Sequence, residues 1–100
     1  MAKFKFFSVG GAIFVEFTAK IYVTLKEAVN DPQGVTVLQG LKRLGFENIR
    51  SVRIGKYLEL KIEAENIERA KDEAAKMCSE LLVNPVIESA TIEIIPDPSA

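Results

Sequence analysis

Alternating apolar and polar residues define the first long predicted strand of this chain, residues 15–26. Its apolar positions fall on every second residue: Phe17, Ala19, Ile21, Val23 and Leu25. A period of two in a run rich in β-branched and aromatic residues is typical of a half-buried strand. The pattern therefore predicts a core strand with one apolar and one polar face.

A second region of alternation covers residues 51–63 and is interrupted at Gly55-Lys56-Tyr57. The apolar positions lie on both sides of the interruption: Val52, Ile54, Leu58, Leu60 and Ile62. This predicts a hairpin whose strands cover about 49–54 and 58–64. With a loop of only Gly55 and Lys56, the two apolar sets would face opposite sides of the sheet. Either the tip has three residues, Gly55-Lys56-Tyr57, or both sheet faces are buried, one by helices and one by a partner chain.

The segment after the first strand predicts a helix that begins at Asp31-Pro32. Asp31 can cap the free N–H groups, and proline at the first helical position gives up no hydrogen bond. Gly45 can adopt the left-handed conformation that ends a helix, and Phe46 can then pack back on the helix. The apolar stripe is Val37, Leu38, Leu41 and Leu44. Gly40 inside this helix indicates either close helix–sheet packing or close approach by a partner chain.

The second predicted helix begins after Asn66, which can cap it, and ends near Val83-Asn84-Pro85 because proline disfavours helix at the preceding residue. Its predicted core stripe is Ile67, Ala70, Ala74, Met77, Cys78 and Leu81. The last strand covers about 86–95, with Ile92 and Ile94 in phase. The tail after it carries prolines and is expected to fray.

The element order β-α-β-β-α-β predicts an α+β, ferredoxin-like fold: an antiparallel sheet with two helices on one face and the first and third strands at its centre. The other face and the sheet edges would then be available for self-association. We assign residues 15–96 to one domain and 97–100 to a tail. Residues 1–14 are an extension of uncertain status: a dispensable segment or start-site artefact, an extra edge strand or arm on a partner, or a targeting segment. The apolar run within it is too short to span a bilayer, which takes about 20 residues.

Composition excludes several classes of function. The chain has 100 residues, with 13 basic and 14 acidic side chains and a net charge of −1, so it lacks the positive excess that nucleic-acid binding needs. It has no histidine and a single cysteine, Cys78. A catalytic triad, a zinc cluster and a disulfide framework are therefore not expected. Because Cys78 falls in a helical core stripe, we interpret it as a small buried hydrophobe. We predict no catalytic residue, metal or cofactor in this chain, and hence a binding or assembly module.

Short motifs add a resemblance to a known family. They occur in the order Tyr22-Val-Thr-Leu-Lys26, Asp31-Pro-Gln-Gly34, Gly55-Lys-Tyr57 and Asn84-Pro-Val-Ile-Glu88. Together they resemble the PurS family, the small subunit of phosphoribosylformylglycinamidine synthase, over about residues 17–95. Residues 1–14 depart from the family pattern.

The resemblance implies a cytoplasmic role in purine (IMP) biosynthesis. The family's enzyme uses ATP and glutamine to convert formylglycinamide ribonucleotide to the amidine. A large ligase subunit would carry ATP and Mg, and a glutaminase subunit would release ammonia. The PurS-like chain would be a dimer or tetramer that bridges these partners and supports ammonia transfer, without catalytic residues of its own.

By their positions in the matched motifs, the candidate partner contacts are Lys26, Asp31, Gln33, Gly55, Lys56, Tyr57 and Asn84. Capping and turn formation are the alternative roles for Asp31 and Asn84. For Lys56 and Tyr57 the alternative is an exposed hairpin tip that contacts no partner. A rival hypothesis is a small-molecule-sensing regulatory domain of the same strand–helix order. Such a domain would use Asn30, Asp31 and Gly34 of the first strand-to-helix loop.

Overall fold

A computed structural model describes the backbone of residues 6–9 and 12–96 and the side chains from residue 14 onward. Its regular elements follow one another along the chain as β1 (Phe6–Val9), β2 (Ala12–Leu25), α1 (Pro32–Arg43), β3 (Gly55–Ala64), α2 (Ile67–Met77) and β4 (Glu88–Pro96). A π-helical segment, Cys78–Leu82, continues α2. The termini at 1–5 and 97–100 and the glycine pair between β1 and β2 lie outside the described residues.

The sheet is antiparallel and is centred on β2. β3 pairs with one edge of β2 and β4 with the other, so that Ile21 lies opposite both Leu58 and Ile92. β1 pairs with the start of β2, where Val15 lies opposite both Phe6 and Ala64. β1 therefore continues the β4 edge of the sheet and lies within the predicted extension 1–14. The α+β, ferredoxin-like class and the central place of the first long strand are confirmed, whereas the predicted strand after Tyr57 is not central: β3 pairs only with β2 among the described residues.

The predicted strand at 49–54 and its hairpin are wrong. Residues 49–54 form no regular strand, and the strand that follows begins at Gly55 itself. The Ile54 N–H donates to Oδ2 of Asp31 at 2.9 Å, so this backbone group is used outside any sheet. Counted from β2, the order is therefore β-α-β-α-β, and neither a three-residue tip nor an even loop joins two paired strands.

The core lies between the sheet and α2. Ala70 and Ala74 of α2 are fully buried against a cluster that includes Phe17 and Ile62. Cys78, at the start of the π-helical segment, packs on Ile21 and Val23. Small residues on this side of α2 let the helix approach the strands closely. The predicted stripe is confirmed at these positions and at Ile67, whereas Met77 and Leu81 are exposed.

The capping predictions for both helices are confirmed. Asn66 accepts from the Arg69 N–H at 2.9 Å and begins α2. At the end of α1, Gly45 has φ +99°, and the Phe46 N–H donates to Leu41 O at 3.1 Å. These local sequence signals act within a few residues and do not depend on how the helices pack.

Helix α1 does not lie on the sheet, which corrects the prediction of two helices on one face. Of the two helices only α2 makes substantial contact with the strands, among the described residues. A Cβ added to Gly40 would meet nothing within 4 Å, so close helix–sheet packing at Gly40 is wrong. The segment returning from α1 is bound to Asp31 and does not pair as a strand beside β3. The molecule is extended, with a radius of gyration of 18.3 Å, against about 13 Å for a compact chain of this length.

Candidate functional site

The candidate site lies where β2 ends, α1 begins and the chain returns to β3. Asp31 organises this junction because each oxygen of its carboxylate accepts one backbone hydrogen bond. Oδ1 accepts from the Gly34 N–H at 3.0 Å, and Oδ2 accepts from the Ile54 N–H at 2.9 Å. The first bond caps α1, and the second holds the start of β3 against it.

Arg53 completes the junction from the return segment. Its guanidinium donates to the carbonyls of Leu25 and Lys26, the latter at 2.9 Å, and so satisfies acceptors at the end of β2. Its Nε lies 4.0 Å from Oδ2 of Asp31, a loose ion pair. Arg53 and Asp31 thus join the end of β2, the base of α1 and the segment before β3.

These contacts lower the pKa of the Asp31 carboxyl. The Ile54 N–H has the largest effect, followed by the Gly34 N–H; the charge of Arg53 acts in the same direction, and desolvation opposes them. A carboxyl whose pKa is lower in the folded state stabilises that state above its unfolded pKa, near 3.9. The contribution is lost as the pH falls through the folded pKa.

We therefore expect Asp31→Asn to be less stable than the wild type at pH 7, and the difference to shrink as the pH falls below about 4. Urea unfolding of both proteins at matched concentration from pH 7 to pH 2.5 measures this. Asp72→Asn, on the exposed face of α2, is the matched control and should leave the pH dependence unchanged. A constant difference between Asp31→Asn and the wild type across the range would contradict the role of the Asp31 charge.

Two glycines let the backbones at this junction approach one another. A Cβ on Gly34 would lie 2.1 Å from Val52 O, and a Cβ on Gly55 would lie 2.1 Å from Val23 O. Both distances are far below van der Waals contact, so no larger residue fits without movement of the backbone. Gly34 allows the return segment to lie against α1, and Gly55 allows β3 to begin beside β2.

A surface groove of about 420 Å³ opens beside Asp31. It brings together residues from the end of β2, the start of α1, the start of β3 and the start of β4. Its polar lining consists of Thr24, Asp31, Gln33, Lys56 and Glu88. The groove therefore gathers four of the predicted contact residues: Asp31, Gln33, Gly55 and Lys56.

The other predicted contact residues lie apart from this groove. Strand alternation puts Tyr57 on the sheet face opposite α2, where its ring lies 5.0 Å from that of Tyr22. Desolvation, and then the charge of Glu59, raise the pKa of the Tyr57 phenol, so it is neutral at physiological pH. Lys26 is exposed, and its backbone N–H donates to Ile87 O at 2.8 Å.

Asn84 is engaged in a turn. Its Oδ1 accepts from the Val86 N–H at 3.1 Å, and its carbonyl accepts from the Glu88 N–H at 2.7 Å. The side-chain oxygen thus serves the turn that leads into β4, as the alternative interpretation of this residue expects. Whether Asn84 also contacts a partner stays a prediction.

Sequence reasoning missed Arg53, Tyr22 and Glu88 as members of this region. Arg53 falls in the predicted strand 49–54, where an arginine indicates only a solvated face. An aromatic at the exposed position 22 is a weak signal, and its pairing with Tyr57 depends on the register of β2 and β3. Glu88 and Lys56 lie on different strands and line the same groove, which no local sequence pattern predicts.

The described residues show no cluster of side chains for metal binding. No group of three or more acidic or cysteine side chains in residues 14–96 could hold a metal ion. Burial raises the pKa of the Cys78 thiol, which keeps it protonated and unreactive. No helix in the described part of the chain is long and apolar enough to cross a membrane.

Comparisons with known proteins give one consistent result. Residues 18–96 match the family model PurS, phosphoribosylformylglycinamidine (FGAM) synthase. The chain is 45% identical over 78 residues to the FGAM synthase subunit PurS of Synechocystis, covering 78% of each chain. It is 43% identical to the PurS subunit of Archaeoglobus fulgidus, covering 74% of this chain and 92% of that one.

Solved structures agree with the sequence comparisons. The structure of PurLQS from Thermotoga maritima includes a chain with a TM-score of 0.74 and 36% identity, covering 80% of this chain and 98% of that one. PurS from Methanocaldococcus jannaschii gives a TM-score of 0.72 and 36% identity, covering 80% of this chain and 96% of that one. The likeness to these two solved chains therefore includes nearly their whole length, and the family match begins within β2.

Proposed function

Because the chain belongs to the PurS family, the small subunit of FGAM synthase in purine biosynthesis, we propose that it is a non-catalytic assembly subunit of this ligase. In this role it bridges the ATP-dependent ligase subunit and the glutaminase subunit in the cytoplasm and supports the transfer of ammonia between them. ATP and Mg belong to the large subunit, and this chain itself associates into a dimer or tetramer.

The observation that carries the proposal is the likeness to a chain of the PurLQS structure of Thermotoga maritima, which covers 80% of this chain. The surface of this chain supports the same role. The groove beside Asp31 is open and polar, as the rim of a protein–protein interface is. The rings of Tyr22 and Tyr57, both about half exposed, offer a second contact area on the other sheet face.

The rival role as a small-molecule sensor has less support. That role would require the polar groups of the first strand-to-helix loop to be available for a ligand. Both carboxylate oxygens of Asp31 and the N–H of Gly34 are already used within the chain. The family assignment points to assembly as well.

Reconstitution tests the proposed function. Purified ligase and glutaminase subunits are assayed for amidine formation with and without this chain, first with glutamine and then with ammonium chloride as nitrogen source. We expect glutamine-dependent activity to need the chain and ammonia-dependent activity to need it much less, since free ammonia requires no bridge. Equal glutamine-dependent activity without the chain would overturn the proposal.

A surface variant tests the predicted contacts at the start of β3. We expect Lys56→Glu combined with Tyr57→Ala to weaken binding to the ligase and glutaminase subunits by about 10-fold or more, as loss of an aromatic and a charge reversal at an interface would. Both side chains are exposed, so the variant should stay folded. Binding is measured by co-elution and titration, with Glu68→Lys and Lys71→Ala on the exposed side of α2 as the matched control. Unchanged co-elution of the test variant would remove this region from the interface.

A further inference from the structure

The sheet face opposite α2 (the open face) carries polar and aromatic side chains. Alternation along β2 sends Ala19, Ile21 and Val23 into the core on the α2 side, so the even-numbered residues lie on the open face. Residues directly opposite each other in an antiparallel pair share a face. The open face therefore consists of cross-strand rows, each with one residue of β3, one of β2 and one of β4. The rows are Lys61, Thr18 and Ile95; Glu59, Lys20 and Glu93; Tyr57, Tyr22 and Thr91; and Gly55, Thr24 and Ser89.

One row of the open face is satisfied within the chain. Thr18 is buried, and its Oγ1 accepts a hydrogen bond from Nζ of Lys61 at 2.9 Å. The ammonium group of Lys61 is therefore engaged by its own sheet. In the next two rows Glu59, Glu93 and Thr91 are exposed to solvent. The groups that can meet another molecule are thus concentrated in the middle of the face.

The open face is acidic. Four glutamates and two lysines supply its charges: Glu16, Glu59, Glu63, Glu93, Lys20 and Lys61. The helices differ from it, because α2 has three acidic and three basic side chains, and α1 has two basic side chains and no acidic one. Within the open face, the row centred on Lys20 has a carboxylate on each side. This row therefore has an excess of negative charge that a partner can neutralise.

Two tyrosine rings lie beside these carboxylates. The centroids of Tyr22 and Tyr57 are 5.0 Å apart, and the side chains are 45% and 47% exposed. Desolvation raises the pKa of the Tyr57 phenol most, and the charges of Glu59 and Glu93 raise it further, so both carboxylates act on this ring. A tyrosine offers a large apolar area with one polar end, and such residues are enriched at the centre of protein interfaces.

Aromatic rings next to carboxylates form a setting that suits a guanidinium group. Arginine stacks on the face of a tyrosine ring, and its planar fork donates paired hydrogen bonds to a carboxylate. A lysine would use the charge but lacks the planar group that stacks on a ring. A phosphate backbone or another acidic surface would be repelled by the same carboxylates. The chemistry of the open face therefore selects a basic, arginine-bearing surface.

We propose that the open face docks on a basic surface of another protein, with an arginine over the rings of Tyr22 and Tyr57 and within reach of Glu59 and Glu93. The inference rests on the proposed function, because the basic surface belongs to the ligase or the glutaminase subunit that this chain bridges. It adds the face that makes the contact and the chemistry that the partner must present.

Neutralising the two carboxylates tests the charge. We expect Glu59→Gln with Glu93→Gln to weaken binding to the subunit that uses this face by about 10-fold, mainly through slower association, and to reduce the salt dependence of binding. Both side chains are exposed and glutamine has the same size, so the variant should fold, which circular dichroism checks. Surface plasmon resonance with each purified subunit, at low and near-physiological salt, measures both rate constants.

The matched control removes two carboxylates from another surface. Glu68→Gln with Asp72→Asn changes exposed residues of α2 and should bind like the wild type. Equal losses in the control and in the variant of the open face would overturn the proposal, because the net charge of the chain, and not this face, would then be responsible. Unchanged affinity of Glu59→Gln with Glu93→Gln would overturn it as well.

Two substitutions at one position test the rings. Tyr22→Phe keeps the aromatic face and should bind like the wild type, whereas Tyr22→Leu removes it and should dissociate about 5- to 10-fold faster with little change in association. Thermal unfolding of both variants checks that the sheet is intact. A Tyr22→Leu variant that dissociates no faster than Tyr22→Phe would remove arginine stacking from the contact and contradict the proposal.

Photo-crosslinking reads the chemistry of the partner directly. The photoreactive residue p-benzoylphenylalanine replaces Thr91, which is exposed beside Tyr22, and the complex with the purified subunits is irradiated. We expect the crosslinked peptide to come from the ligase or glutaminase subunit and to contain an arginine. A peptide from a second copy of this chain, or one without basic residues, would overturn the proposal.

The failure of this docking face is separable from the failure of the proposed function. If the wild-type chain supports glutamine-dependent amidine formation while the variants of the open face bind normally, only the docking face is wrong. If the wild-type chain binds neither subunit and adds nothing to that activity, the proposed function fails together with the face. The reconstitution assay of the wild type therefore distinguishes the two outcomes.

Discussion

Replacing Gly34 with alanine is expected to lower the free energy of unfolding by about 3 kcal/mol, which combines overpacking with the loss of a buried backbone hydrogen bond. The added Cβ would lie 2.1 Å from Val52 O and 2.9 Å from Oδ2 of Asp31. Neither neighbour can yield cheaply, because one is backbone and the other holds the Ile54 N–H. The return segment must therefore move away from α1, and the contacts of Asp31 are broken together.

Urea unfolding at fixed protein concentration measures this loss, because oligomerisation makes stability depend on concentration. Gly40→Ala is the matched control in the same helix. A Cβ at Gly40 meets nothing within 4 Å, and alanine is the better helix former, so this variant should gain up to about 1 kcal/mol. If Gly34→Ala behaved like Gly40→Ala, the close approach of the return segment to α1 would not exist in solution.

Truncation of Ile21 to alanine is expected to cost about 3 to 4 kcal/mol. Ile21 is the larger of the two big side chains that are fully buried, and it lies on the central strand between Leu58 and Ile92. It also supports Cys78 at the point where α2 passes into the π-helical segment. A cavity there removes contacts on three strands and one helix, and the surrounding backbone cannot close around it.

A graded series makes this prediction specific. Ile21→Val should lose about 1 kcal/mol, and Val86→Ala, at a side chain that is 77% exposed, should change stability by less than about 0.5 kcal/mol. Thermal unfolding monitored by circular dichroism should rank the three variants in the same order of stability. An Ile21→Ala variant as stable as Val86→Ala would mean that the helix–sheet core is not packed as described.

The elements that the sequence predicts well are those fixed by neighbours along the chain. The core side of α2 is correct at Ala70, Ala74 and Cys78 because the helical repeat alone places these residues on one face. The caps at Asp31 and Asn66 are correct because each acts on an N–H three residues ahead. The end of that stripe is wrong, because Met77 and Leu81 are exposed where α2 passes into the π-helical segment.

The strand predicted at 49–54 illustrates where local pattern fails. Val52 and Ile54 alternate as strand residues do, yet a strand also needs a neighbouring strand to pair with. This segment does not pair with the edge of β3. Contacts with Asp31, 23 residues earlier in the chain, hold the segment elsewhere. The sequence contains Asp31, Arg53 and Gly34, but it does not reveal that they meet.

The candidate site divides in the same way. Short motifs identified Asp31, Gln33, Gly55 and Lys56, and the register that sets Thr24 opposite Gly55 brought them into one groove. Pleat geometry separated Tyr57 from its neighbour Lys56 and gave it Tyr22 as a partner.

By itself the sequence determined the long central strand, both helices with their caps, the absence of histidine chemistry and the resemblance to the PurS family. These follow from periodicity, short-range hydrogen bonding and composition, which act within a few residues. Only the tertiary structure decided that α1 stands away from the sheet, that Asp31 and Arg53 join the end of β2 to the segment before β3, and that β3 pairs only with β2 among the described residues. Those features depend on which distant groups donate to the buried carboxylate of Asp31 and on two places where backbones pack closely. Contacts between residues so far apart along the chain produce no periodic sequence pattern.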